Sequence, residues 1–216
     1  MNDSRGKILG RIRAATSSLP NPAQRPQYDP SLPTSRAGAK ALQAADRIAV
    51  FRAQWEAVSG RWAADWKDLQ SLWNGQTGGP LDVAGADHPG YCAPEFEEAL
   101  KAACPEAPIV TAFDRSRVDD YPFAITPAWG AIAETGTVIL TDQLTPARLA
   151  ALAPWAHVAV IPPDRIFATV AAAMAELPDD PSIVLVTGPS KTADIEGILI
   201  EGVHGPGIQV ALVHPA

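Results

Sequence analysis

From Arg36 onward the apolar positions Leu42, Ala45, Ile48, Ala49, Phe51, Trp55 and Val58 recur at three- and four-residue steps, which places them on one face of a helix. The stripe continues through Trp62, Trp66, Leu69 and Trp73, returning to nearly the angle of Trp55 at 3.6 residues per turn. Ser59-Gly60 interrupts it, so the pattern predicts a break there, with a short strand or second helix beyond. A tryptophan stripe of this kind reads as core before it reads as a partner surface. Upstream, Ile8, Leu9 and Ile12 share one helical face from Ser4 to about Ala15, with basic residues opposite. The following segment SSLPNPAQRPQYDPSLP holds five prolines, which predicts an extended linker. Residues 1–35 thus form a helix and Pro-rich linker, and 36–216 the main domain.

Residues 74–107 are rich in Gly, Pro, Asn and Asp, apart from one helical piece at about Pro94 to Ala103. A stretch of that length predicts either a cover over a cleft or the least ordered part of the body. Beyond it strand and helix alternate. Strands are expected at 108–113, 137–141, 157–161 and from Ile183, and helices from Thr145-Pro146 to about Leu152 and from about Asp164 to Glu176. A turn passes through Tyr121 and Pro122. This alternation predicts a three-layer α/β core, a mostly parallel sheet flanked by helices. Ile183 to Val186 reads as a strand buried on both faces. Thr187, Gly188, Pro189 and Ser190 stop it, and a short helix is expected from near Thr192, followed by a Gly205-Pro206 elbow and a closing strand.

Composition narrows the class. A chain of 216 residues, 47% hydrophobic and 19% charged, is globular and buries roughly 70% of its unfolded surface. No apolar run approaches the ~18–20 residues of a membrane helix. The net charge of −7, without a dense Lys/Arg cluster, disfavours nucleic acid as a partner. Arg5, Lys7, Arg11 and Arg13 break up the apolar residues near the start, so no secretory signal is expected and the cytoplasm is the expected compartment. There the two cysteines, Cys92 and Cys104, are expected as free thiols. Two are too few for an iron–sulfur cluster held by this chain alone.

Candidate chemistry concentrates at two turns. Gly188, Ser190, Lys191, Thr192 and Asp194 follow a strand end, where backbone donors, a helix start and a lysine suit a phosphate or carboxylate; the same residues also suit a structural turn. Neither GxxxxGK[ST] nor GxGxxG occurs there, which disfavours ATP and NAD. Glu134 precedes Gly136 and Thr137, which complete the candidate ligand-binding set. Its carboxylate reads as a base, a nucleophile or a hydroxyl acceptor, or else as a cap on the amides of that turn. His204, beside Gly205-Pro206, reads as a proton-transfer group or as a hydrogen-bonded structural imidazole. Convergence of Glu134, Asp194 and His204 would favour acid–base work or a metal. His88, His157 and His214 lack zinc-ligand spacing, and no metal is expected.

The strings GPSKTADIEG with GVHGPG, and ITPAWGAIAETGTVIL from Ile125 to Leu140, together with the weaker SRGKILGRIRAA, resemble the signatures of the LUD-domain family, and within it the LutC type. The resemblance implies a fold similar to the NagB, ribose-phosphate isomerase and CoA-transferase group. It also implies a non-redox part in L-lactate oxidation to pyruvate, beside LutA-like and LutB-like iron–sulfur partners that carry the clusters. Glu134 is also reminiscent of the acyl-carrying glutamate of CoA-transferases of similar fold. A free-standing acyl-CoA or sugar-phosphate enzyme and a purely structural adaptor are the competing expectations.

Overall fold

The computed structural model describes residues 4–17, 44–70, 88–145, 147–193 and 199–214. The chain divides into two units, Met1–Leu32 and Pro33–Ala216. In the first, α1 (Ser4–Thr16) is a helix whose Ile8, Leu9 and Ile12 are exposed. The proline-rich linker, Trp73 and Asp194 lie outside the described residues.

In the second unit, α2 (Ala44–Ala57) carries Phe51 and Trp55 into the core, both fully buried. It ends at the expected break. Gly60 N–H donates to the Trp55 carbonyl at 2.9 Å, and Ser59 takes a φ of 69°. A Cβ at Gly60 would lie 2.2 Å from the Trp55 ring, so the indole covers this turn only because the residue is glycine. Trp55 Nε1 then donates to the Arg61 carbonyl at 2.7 Å, which joins the helix to β1 (Arg61–Ala63).

The central sheet has six strands in the order β1-β12-β7-β4-β2-β3, every pair parallel. Its other members are β2 (Gly90–Cys92), β3 (Ile109–Val110), β4 (Phe123–Pro127), β7 (Ala156–Ile161) and β12 (Ile208–Val213). A second, four-stranded sheet has the order β8-β5-β6-β9 and is mainly antiparallel. It comprises β5 (Gly130–Ile132), β6 (Thr137–Thr141), β8 (Ile166–Phe167) and β9 (Ile183–Val186). On one face of the central sheet, α3 (Glu97–Ala103) and its preceding 3-10 turn bring Phe96 and Leu100, with Trp66 and Leu69, against Phe123, Ile125, Val158 and Leu212. On the other face Phe51, Trp55, Val138 and Leu140 meet Ala159, Ile161 and Ala211. There α2 and the second sheet form the third layer, with α4 (Arg148–Leu152) beside them. Outside the second sheet, α5 (Val170–Glu176) covers Ile132 and Ile139 with Ala173. The α/β class and the mostly parallel, helix-flanked sheet are as expected.

Several elements differ from expectation. Gly90–Cys92 is an inner strand of the central sheet, not loop. Its three residues, too few to show a period, sit at a site where a Cβ on Gly90 would strike the Phe123 ring at 2.0 Å. Phe123–Pro127 is likewise a buried strand, directly after the expected turn. Of the helix expected from Asp164 only Val170–Glu176 is α-helical; Pro163–Arg165 is a 3-10 turn leading into β8. Ile183–Val186 is not buried on both faces but an edge strand, antiparallel to β6, with Leu185 48% exposed. A continuous apolar run does not distinguish these settings. The helix expected from Thr192 is instead a hairpin, β10 (Lys191–Ala193) paired with β11 (Leu199–Glu201). Ser190 explains the difference: its N–H donates to the Pro206 carbonyl and its carbonyl accepts from Gly202, both at 2.9 Å. That pairing launches an extended chain.

One polar row crosses the core. Thr126 Oγ1, His157 and Gln209, on the neighbouring strands β4, β7 and β12, are buried and joined by hydrogen bonds of 2.8 and 2.9 Å. With the Gln209 carbonyl oxygen facing it, Nδ1 of His157 carries the proton, and Nε2 accepts from the Thr126 hydroxyl. Burial pushes the imidazole pKa down to about 4, against a smaller opposing effect of the Gln209 bond. The histidine is neutral at physiological pH.

Candidate functional site

The two motif turns meet. Thr137 Oγ1 and Thr187 Oγ1 are 2.8 Å apart, and Thr135 Oγ1 lies 2.7 Å from Thr137 Oγ1, so hydroxyls link strings that are fifty residues apart. Gly136 (φ 61°) and Gly188 (φ 77°) press on the last turn of α2: Cβ atoms there would lie 2.5 Å from Trp55 N and 2.2 Å from the Val58 carbonyl oxygen. Lys191 Nζ donates to Ser59 Oγ at 2.7 Å in the same corner. The geometry of Gly136, Gly188 and Lys191 is therefore that of a socket for the end of α2, and Thr137 ties the two turns together.

Glu134 turns elsewhere. Its Oε2 accepts the Val170 N–H at 3.1 Å, at the start of α5, where Thr169 Oγ1 also accepts from Ala172. This is a capping role, at α5 rather than at its own turn. Glu134→Ala is expected to lower stability by about 1 kcal/mol, with Glu134→Gln milder, as read from urea unfolding followed by circular dichroism. A loss of activity in Glu134→Gln with unchanged stability would contradict the capping role.

Ser190 is held by the loop 202–207, and Thr192 pairs with Ile200 in the hairpin. Gly202 and Gly207 of that loop pack on Trp155, Gly205 lies against Ser190, and His204 is exposed within the loop. Among the described residues no hydrogen bond joins His204 to Glu134, and no group of three or more His, Cys, Asp and Glu is placed to hold a metal.

A different place has the shape of a site. From β2 the chain passes through α3 to β3, toward one edge of the sheet; from β4 it passes through β5, β6 and α4 to β7, toward the other edge. The two helices lie on opposite faces, so a crevice opens beyond the carboxyl ends of β2 and β4, the topological switch point where open α/β sheets bind ligands. A cavity of about 320 Å³ lies there, between Tyr91, Ala93 and Glu95 on one side and Thr126, Gln143 and Thr145 on the other. It shares Tyr91 and Ala147 with a larger one of about 780 Å³ that includes Arg115, Arg148 and Leu149. A third, of about 420 Å³, shares Glu95, Pro127 and Leu144 and reaches Trp66 and His214. Sequence reasoning missed this crevice because it treated the strand Gly90–Cys92, which forms one wall, as loop.

The crevice is stiffened from behind. The Asp180 carboxylate is 8% exposed and accepts the N–H groups of Asp142, Gln143 and Ser182. Burial raises its pKa, but these three bonds and Arg148 outweigh that and hold it below the usual carboxylate range. Asp142 in turn binds Arg148 through both oxygens, Oδ1 accepting from Nε at 2.8 Å and Oδ2 from the terminal nitrogen. Arg148 is thus fixed in direction before any ligand arrives. Tyr91 has its phenol pKa raised, first by burial and then by Glu95, so it remains a hydrogen-bond donor at neutral pH.

A family model described as the LUD domain matches residues 90–213, more than half of the chain. The chain belongs to the LUD-domain family. Curated relatives agree. Lactate utilization protein C of Oceanobacillus iheyensis is 39% identical over 83 residues, covering 35% of this chain and 36% of that protein. Lactate utilization protein C of Deinococcus radiodurans is 31% identical over 150 residues, covering 61% of this chain and 71% of that protein. The match therefore spans about a third of the first relative and over two thirds of the second. The crystal structure of a DUF162 family protein from Deinococcus radiodurans has a TM-score of 0.52 and 19% identity, covering 80% of this chain and 99% of that one, a likeness of fold. For this LUD-domain chain, the matched span includes both motif turns and the whole wall of the crevice from Gly90. No helix among its described residues is long and apolar enough to cross a membrane.

Proposed function

We propose that this protein is a subunit of a lactate-utilization system, a non-redox component working beside iron–sulfur proteins of the LutA and LutB kind. The observation that carries this reading is the 31% identity to lactate utilization protein C over 71% of that relative's length. The cysteines support it. Burial, then Glu95 and Glu97, pushes the Cys92 thiol up to about 12, and burial raises Cys104 as well. Both are buried free thiols, and two are fewer than the four ligands a cluster usually takes, so cluster ligation is assigned to partner chains.

The test is deletion of the gene in its host, with growth on L-lactate as sole carbon source, paired with purification of the tagged chain from lactate-grown cells. The expected result is lost growth that the intact gene restores, and co-purification of two cysteine-rich proteins with the broad visible absorption of iron–sulfur clusters. Undiminished growth of the deletion strain, with the chain recovered alone, would refute the reading.

A further inference from the structure

We infer that the crevice at the β2/β4 switch point is a binding site for a small monocarboxylate, held through Arg115 and Arg148 with its carbon skeleton against Tyr91 and Leu149. Three independent features converge there. Chain topology opens the crevice at the carboxyl ends of β2 and β4, and a cavity of about 780 Å³ adjoins it, sharing Tyr91 and Ala147 with the smaller cavity at the strand ends. Arg148 is aimed by the Asp142 pair and, behind that, by the three amides gathered on Asp180, a supporting shell of the kind that fixes a recognition residue. Arg115 lines the same cavity and has no ion pair or hydrogen bond among the described residues.

Charge selects the ligand class. Asp142 offsets the charge of Arg148, so Arg115 supplies the one net positive charge, and Arg148 supplies planar donors in a set direction. Glu95, whose field reaches Tyr91, opposes a second negative charge. One net charge and two guanidinium forks suit a monoanion with coplanar oxygens, a carboxylate, over a phosphate dianion. The Tyr91 phenol, kept protonated, adds a donor for a hydroxyl or oxo group beside the acid. Leu149 and Leu152 supply apolar surface for a short carbon chain.

The inference rests on the reading above only in its choice of L-lactate and pyruvate among the probes. Its test is isothermal titration of the full chain at low salt with L-lactate, pyruvate, acetate and inorganic phosphate. A carboxylate is expected to bind saturably and in preference to phosphate. Arg115→Gln should weaken that binding at least about tenfold, the loss expected for a charge-assisted contact. Leu149→Trp, which fills the cavity, should abolish it, while Lys67→Gln, outside the crevice, leaves it unchanged; thermal melting verifies that each variant folds. Arg115 is exposed and unpaired among the described residues, so its replacement leaves the core intact. Binding of none of the four probes, preference for phosphate, or carboxylate binding that survives both Arg115→Gln and Leu149→Trp would overturn the site. Absent binding together with a lactate-growth defect would sink the site alone; carboxylate binding without a growth defect would sink the subunit reading alone.

Discussion

Trp55→Ala is expected to lower the free energy of unfolding by about 3–5 kcal/mol, the range for removing a fully buried aromatic side chain. The indole does three things that alanine cannot. It stacks on Phe51 at a ring separation of 5.9 Å, it fills the space above Gly60, and its Nε1 donates to the Arg61 carbonyl. Removal leaves a cavity between α2 and the central sheet and takes the indole donor from the Arg61 carbonyl at the start of β1, and both costs fall on the same junction. Urea unfolding monitored by far-ultraviolet circular dichroism measures the loss. Trp55→Phe, which keeps most of the volume but not the donor, should lie between. A loss below about 1 kcal/mol for the alanine variant would show that the α2 junction does not depend on this ring.

Stability should fall by roughly 3 kcal/mol between pH 6.5 and pH 4 because of His157, as follows from its lowered pKa of about 4 and a reference value of 6.5. The folded-state pKa is depressed, so in this window the unfolded chain binds more protons than the folded one, and the stability contribution rises with pH. It is fully present above the unfolded value and lost as pH falls through the window. The imidazolium form would have two N–H donors where Thr126 and Gln209 are arranged for one donor and one acceptor, at a fully buried position. Asp180, whose folded pKa is also lowered, loses its contribution at lower pH, below the usual carboxylate value, so the two windows are separable. Urea midpoints measured from pH 4 to 8 give the slope. A matching loss of slope in His157→Gln assigns it to this residue; an unchanged slope would remove His157 as the cause.

The apolar spacing of Phe51 and Trp55 announced α2, and Ser59-Gly60 announced its end, because helix periodicity and its interruption are local properties. The strands at 137–141 and 156–161 were legible for a similar reason: β-branched runs bounded by turn residues carry their own signal. Which sheet each joins was not. Thr137–Thr141 and Ile183–Val186 look as apolar as Ala156–Ile161, yet the first two pair antiparallel with each other in the second layer while the last lies in the central sheet. Pairing partners are chosen by packing between segments distant in the chain.

The candidate site divides in the same way. The two motif turns do come together, through Thr137 and Thr187, but the contacts of Gly136, Gly188 and Lys191 serve the end of α2, and Glu134 serves α5. Residue type alone had allowed a ligand site or a structural turn; only the tertiary contacts show that the turns receive the end of α2.

From its residues alone, this chain declares a LUD-type α/β domain with a tryptophan-rich helical lead-in, since family strings and hydrophobic periods are written in short stretches of sequence. The tertiary structure decided where a ligand has room. The crevice needs Gly90–Cys92 beside Phe123–Pro127, their connections departing in opposite directions, and Asp180 reaching across to brace Asp142 and Arg148. None of these relations exists between neighbours in the chain; each arises when strand order and crossover direction are set by burying the sheet between its two layers.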